Sequence, residues 1–405
     1  MAVAEARLRQ PPVTAVLGPL AAIAIMALAA RVDRVYGVFW GFGLAYGFAL
    51  QRGRFCFASA FRDLFLLQQS RTLRAILAGM AVATLGFALI MSNLVPNTAI
   101  GVLPPEAHVI PLGLHSVVGG ILFGIGMVLA GGCVSGTLYR MGEGYVASWV
   151  TASGILIGLW GASKTWNWWW INHISKRQPV WLPHLFGYGG AIALTLAALI
   201  GLFLLALWWE ARSGVMFPEP VHGTSGADFR SRLRDLWGVV FVRAWPVTTT
   251  GIVLGAINVF EYAYQHPWGV TGELSRWADA LASLVGLSAG PLMGMDQLAG
   301  CALTAETGGG FLTHGLILNT GLIFGSWLAA TLAGEFKIRR PRQRIRYAQS
   351  IGGGVLMGYG AGLAVGCTIG AMFSAIPSLA VNGWAFAISL TVGAFVGVQV
   401  IRRLP

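Results

Sequence analysis

The sequence predicts an all-α polytopic membrane protein, an inverted-topology repeat with about ten transmembrane helices plus four short or re-entrant helices. Three observations carry that prediction. The 405 residues are 56% hydrophobic and only 10% charged, with a mean hydropathy of +0.69, whereas soluble domains are about 25% charged. Apolar runs such as 184–208 match the ~20 residues needed to cross a hydrocarbon core about 30 Å thick. A phrase rich in glycine and cysteine also occurs twice, once in each half of the chain.

Apolar length and Gly/Pro punctuation place the spans at 13–30, 36–51, 73–91, 114–131, 146–162, 184–208, 246–262, 313–333, 350–366 and 382–401. The tail MAVAEARLRQPP is basic and lacks a small-residue cleavage site, so 13–30 reads as an uncleaved first span. Starting the tail inside puts 21 of the 27 Lys and Arg on the inner side, as the positive-inside rule requires, with both termini cytoplasmic. The net charge of +12 is then a matter of topology and not of nucleic-acid binding. The basic runs RSRLRD (230–235) and KIRRPRQRIR (337–346) read as cytoplasmic anchors. Trp166, Trp168, Trp169, Trp170 and Trp181 read as an interfacial belt on the outer side.

The organisation that follows is a tail with an accessory first span (1–35), a first repeat with its connecting span (36–209), a cytoplasmic linker (210–245) and a second, inverted repeat (246–405). GGILFGIGMVLAGGCVSG (119–136) set over GGVLMGYGAGLAVGCTIG (353–370) gives ten identities in eighteen without a gap, 234 residues apart. By the charge count the two copies cross in opposite directions, the mark of an inverted repeat with its substrate path at the repeat interface. Each copy ends in a Gly-Cys break, Gly132-Cys133 and Gly366-Cys367, followed by a short helix, 134–142 and 368–378. Two further short elements, 54–66 and 268–286, take corresponding places in the two halves and read as re-entrant. Irregular backbone at membrane depth is tolerated only where it is buried in protein or lines a cavity, so these breaks are the candidate site.

Four cysteines at wide spacing make no CxxC pair and no zinc pattern, so no metal or other cofactor is expected. Cys133 and Cys367 sit on symmetry-related breaks, and Cys56 lies on the re-entrant stretch among Arg52, Arg54, Arg62 and Asp63. The start of a short helix offers N–H groups to an anion, and a thiol adds a soft contact and a weak donor. An oxyanion is satisfied by N–H and O–H donors alone; a sulfur-terminated anion gains from thiols. Arg62, Asp63, Arg140, Glu143, Asp296 and Glu306 are charges near breaks. Arg62 with Asp63, and Arg140 with Glu143, read equally well as local pairs. The histidines at 108, 115, 173, 222, 266 and 314 show no ligand spacing and read as loop or interface residues. Most of the glycines admit a plain packing role.

QRGRFCFASAFRD (51–63), the block 119–144 and the block 352–377 resemble the YeeE/YedE family of bacterial inner-membrane proteins, as do WGVTGELSRW (268–277) and RPRQRIR (340–346). The resemblance runs from about residue 36 to the C-terminus. It implies uptake of thiosulfate or a related sulfur anion, handed along a central path by the thiols that correspond here to Cys56, Cys133 and Cys367; the charge-count topology orders them with Cys367 on the outer side and Cys56 and Cys133 towards the inner. It also implies membrane lipid as surroundings and a small sulfur-carrier partner of the TusA type, here a separate chain. Cys301 has no counterpart in the three-cysteine pattern. The competing readings are a selenium-compound transporter of the same family, a membrane thiol oxidoreductase or sulfurtransferase, and a structural membrane protein. No nucleotide-binding motif is present, so ATP hydrolysis by this chain is not expected, and proton coupling and facilitated flux stay equally open.

Overall fold

A computed structural model describes residues 13–212, 237–288, 290–295, 298 and 312–403. Their regular structure is helical. We number the helices α1 (Val13–Val32), α2 (Arg34–Arg52), α3 (Phe57–Leu67), α4 (Arg71–Leu94), α5 (Leu114–Ala130), α6 (Val134–Gly142), α7 (Val146–Trp169), α8 (Leu182–Ala211), α9 (Val247–Tyr264), α10 (Thr271–Ser283), α11 (His314–Leu332), α12 (Ile345–Leu363) and α13 (Val381–Arg403). A π-helical segment, Thr368–Ser374, follows α12.

Helices stand at all ten positions where spans are expected, and at all four positions expected for short elements. By length and composition six described stretches suffice to cross a membrane, and seven if α12 and the π segment, bent by 47°, form one span. The sequence's ten is therefore not reached on that measure. The shortfall has a physical reason: α2 carries Arg34, Gln51 and Arg52, and α9 carries Glu261 and three threonines, which dilute their apolar character. Helix α7 also outruns its expected end at 162, continuing through the tryptophans into a π turn, Trp170–Ile174.

The packing follows a two-fold rule. Matching α2 with α9, α3 with α10, α4 with α11, α5 with α12, α6 with the π segment and α7 with α13 turns contacts into contacts. Thus α2 packs on α11 as α9 packs on α4, α5 on α13 as α12 on α7, and α3 on α13 as α10 on α7. Helices α5 and α12 cross each other at the centre. There the repeated glycines meet reciprocally: a Cβ built on Gly119 would lie 2.7 Å from the Gly360 carbonyl, and one on Gly353 would lie 2.7 Å from that of Gly126. Gly119 and Gly353 are repeat mates, as are Gly126 and Gly360, so the crossing is isologous. Only glycine lets the two backbones approach this closely.

Helices α1 and α8 have no mate. Helix α1 packs on α2 and α11, and both present large exposed apolar side chains, among them Leu20, Ile23 and Leu28 on α1 and Leu194, Ile200 and Leu204 on α8. Such a face suits acyl chains. Two tryptophans depart from the expected outer belt. Trp166 and Trp181 are buried in protein, where their indole N–H groups donate to the carbonyls of Met293 (2.9 Å) and Ser378 (2.9 Å). Trp168 is exposed. His108, in the loop before α5, and His115, at the start of α5, are likewise buried. The tail 1–12, the basic run 230–235, His222, Asp296, Cys301 and Glu306 lie outside the described residues.

Candidate functional site

Both helix breaks are built alike. At the end of α5, Gly131 takes the left-handed conformation (φ 73°), and the Gly132 amide donates back to Met127 O at 3.1 Å. At the end of α12, Val365 takes it (φ 53°), and the Gly366 amide donates back to Ala361 O at 2.9 Å. These bonds satisfy carbonyls that the helix end would otherwise orphan. Gly132 and Gly366 therefore serve first to stop their helices, since their N–H groups are engaged. A β-branched residue in the left-handed region is strained by about 1–2 kcal/mol, and Val365, fully packed, is held there by its surroundings.

The chain then extends through the cysteine, which caps the short helix. The Cys133 carbonyl accepts from the Thr137 amide (2.8 Å), and that of Cys367 accepts from the Ala371 amide (2.8 Å). The Cys133 sulfur accepts from the Gly136 amide at 3.3 Å and lies 3.4 Å from Ser135 Oγ. Cys56 caps α3 in the same extended manner, and all three thiols are buried and free.

The structure brings Cys56 and Cys133 together. A Cβ built on Gly136 would stand 2.8 Å from Cys56 Sγ and 3.2 Å from Cys133 Sγ, so both sulfurs close over the bare Cα of that glycine. Cys367 keeps different company. Its neighbour is the Thr271 hydroxyl at the start of α10, which is buried and makes no hydrogen bond of full geometry. Thr271 also lines a small cavity with Ser163 and Ser275, beneath Trp166, Leu292 and Met295.

Of the charged candidates, Arg140 donates to Gly131 O (2.5 Å) and lies over the Tyr139 ring, tying the end of α6 back to the break. Glu143 accepts from Gln51 (3.1 Å), and no ion pair within 4.0 Å joins Arg140 to Glu143. Arg62 and Asp63 do pair, at 2.9 Å, in the middle of α3.

A network below the thiols was not foreseen. Glu335, just after α11, accepts from Arg52 (2.8 Å), Arg54 (3.0 Å) and Gln51 (3.1 Å), while its carbonyl accepts from Arg339 (3.0 Å). Arg52 is 1% exposed and also donates to Val242 O at 2.8 Å. Burial raises the Glu335 carboxyl's pKa, but Arg52 and Arg54 outweigh it and hold the group below the usual carboxylate range. The QRGR run beside Cys56 was the only hint, and its partner lies 283 residues away. Among the described residues no group of three or more His, Cys, Asp or Glu is placed to hold a metal ion.

Two soft donors on paired helix breaks and a third on the cap of α3, inside an apolar bundle, suit a small polarizable anion. Comparison with known proteins agrees. Residues 52–396 match the family model described as sulphur transport. The chain is 29% identical over 371 residues to the thiosulfate transporter TsuA of Spirochaeta thermophila, covering 89% of this chain and 97% of that one. It is 27% identical over 358 residues to the thiosulfate transporter TsuA of Escherichia coli, covering 87% and 91%. A probable transporter YedE of Salmonella typhimurium is 33% identical over 176 residues, 42% of this chain and 40% of that one. With thiols on both paired helix breaks and the match running through almost the whole bundle, the chain belongs to the sulphur transport family.

Proposed function

We propose that this chain carries thiosulfate, or a related sulfur-containing anion, inward across a bacterial inner membrane with both termini cytoplasmic. The observation that carries the reading is the meeting of Cys56 and Cys133 over Gly136, with Cys367 on the symmetry-related break. The names of the relatives support thiosulfate as the substrate.

Cys367 and the Thr271 hydroxyl form an outer station, and Cys56 with Cys133 an inner one. Each protonated thiol donates a weak hydrogen bond to the terminal sulfur of the anion, a soft acceptor matched to a soft donor. The anion passes between stations without any covalent bond being made or broken, and the chain is not an enzyme. Arg140 supplies positive charge beside the inner pair. The Arg52, Arg54, Glu335 and Arg339 network closes the inner mouth, and a separate TusA-type carrier protein receives the anion there. Neither Gly132 nor Gly366 needs to touch the anion; each shapes the break that presents its cysteine.

Uptake of labelled thiosulfate into proteoliposomes tests the reading. Wild-type protein accumulates label, and Cys56→Ser and Cys133→Ser, which keep a donor but remove the soft sulfur, lose most of it. Full uptake by both variants overturns the relay.

A further inference from the structure

One buried titratable group has no part in that relay. Glu261, near the end of α9, is 0% exposed. Its Oε2 accepts from the Tyr46 hydroxyl of α2 at 2.6 Å, while its Oε1 has no hydrogen-bond partner. The nearest basic group is His266 Nδ1 at 4.0 Å, which also lies 3.1 Å from the Pro267 carbonyl. Among the described residues no arginine or lysine forms an ion pair with it. Burying a bare carboxylate in such a place costs several kcal/mol, and a proton on Oε1 removes that cost.

The surroundings connect this carboxyl in two directions. Outward, the His266 side chain is 25% exposed and spans from the carboxyl to a more open region. Inward, the Tyr46 ring stacks on Trp268 at 3.8 Å and 5°. The Trp268 amide donates to Asn258 Oδ1 (2.8 Å), whose amide donates to Ser374 Oγ (3.2 Å), and Ser374 Oγ donates to the Trp268 carbonyl (3.1 Å). Ser374 closes the π segment that Cys367 opens. The carboxyl thus bears, through one stacked ring and one closed hydrogen-bond loop, on the segment that holds the outer thiol. Among the described residues, the other titratable groups on this side include Tyr36 of α2, which packs on His314, Tyr262 and Tyr264 of α9 and His314 of α11. Tyr262 packs on Phe87 of α4, while Tyr264 and His314 pack on Phe39 of α2.

We propose that Glu261 is a proton-binding site, reached through His266, that couples inward movement of the anion to a proton. The inference rests on the transport reading above. The proton enters by His266, sits on Glu261 Oε1 while the anion engages Cys367, and leaves on the inner side with the anion.

The test uses purified full-length protein in proteoliposomes with labelled thiosulfate, the membrane potential clamped at zero and an inward proton gradient of about one pH unit. At one proton per anion, the gradient drives about tenfold accumulation, and a trapped pH dye reports proton entry when thiosulfate is added. Glu261→Gln is expected to lose both signals while exchange of external for internal thiosulfate stays measurable. Wild-type uptake indifferent to the gradient, or gradient-driven accumulation by Glu261→Gln, overturns the proposal. A missing dye signal in wild-type protein overturns the proposal even if Glu261→Gln fails to fold, and Glu261→Asp, which keeps a carboxyl, is expected to retain both signals; their loss in a folded Glu261→Asp protein also counts against it. No thiosulfate uptake or exchange by wild-type protein under any condition instead overturns the transport reading itself, and the coupling with it.

Discussion

The two helix breaks share a backbone and differ in chemistry. At the first, Cys133 meets a second thiol, Cys56, over a glycine, with Arg140 near by. At the second, Cys367 meets the Thr271 hydroxyl, and the repeat mates of Arg140 and Glu143 are Ser374 and Pro377. One break stops on glycine and the other on a strained valine. On the shared scaffold, one break gathers two thiols beside a guanidinium, and the other sets one thiol beside one hydroxyl.

The comparison can be broken at several points. The largest expected effect is at the inner pair: Cys133→Ala removes a donor to a charged ligand, a loss of about 10- to 100-fold in thiosulfate uptake. Next is Gly136→Ala. Its methyl would stand 2.8 Å from Cys56 Sγ and 3.2 Å from Cys133 Sγ, so the thiols must part, and uptake is expected to drop about tenfold. A protein still extracted and purified in normal yield would assign that loss to the site and not to the fold.

Gly126→Val attacks the scaffold shared by both breaks. Its Cβ would lie 2.6 Å from the Gly353 carbonyl, and overpacking costs about 1–3 kcal/mol. A lowered melting temperature is the expected reading. Thr271→Val sharpens the comparison from the other side: it leaves the inner pair intact and removes the hard donor of the outer station, for a loss of about threefold to tenfold in uptake.

The smallest effect belongs to the inner mouth. The Glu335 carboxyl sits below its ordinary range in the folded protein. Its contribution is therefore present above the unfolded carboxylate value of about 4.3, and is lost as pH falls through the lower folded value. Melting temperature against pH should show a small acid-side decline, worth about 0.2–1 kcal/mol, that Glu335→Gln lacks.

The sequence made some of this legible and hid the rest for physical reasons. Helix positions follow from apolar length, and the breaks from glycine placement, so α5, α6, α12 and the π segment fall where the repeat puts them. The three thiols were visible because cysteine is rare here and two copies align. What stayed hidden depends on contacts between distant segments. Gln51 with Glu335, Cys367 with Thr271, and Tyr46 with Glu261 join segments that no periodicity relates. Tryptophan misled in a similar way: an indole at a helix end reads as interfacial, yet Trp166 and Trp181 spend their N–H groups on carbonyls inside the protein. The glycines divided in the structure, those at the α5–α12 crossing for packing and Gly136 for seating two sulfurs.

The central claim is that Cys56 and Cys133 form one station and Cys367 another. Mild oxidation with diamide of the full-length protein carrying Cys301→Ala, followed by mass spectrometry of the linked peptides, tests it most directly. The account predicts a Cys56–Cys133 disulfide, reversed by dithiothreitol, with Cys367 remaining a free thiol. A Cys133–Cys367 disulfide with Cys56 left free would contradict it.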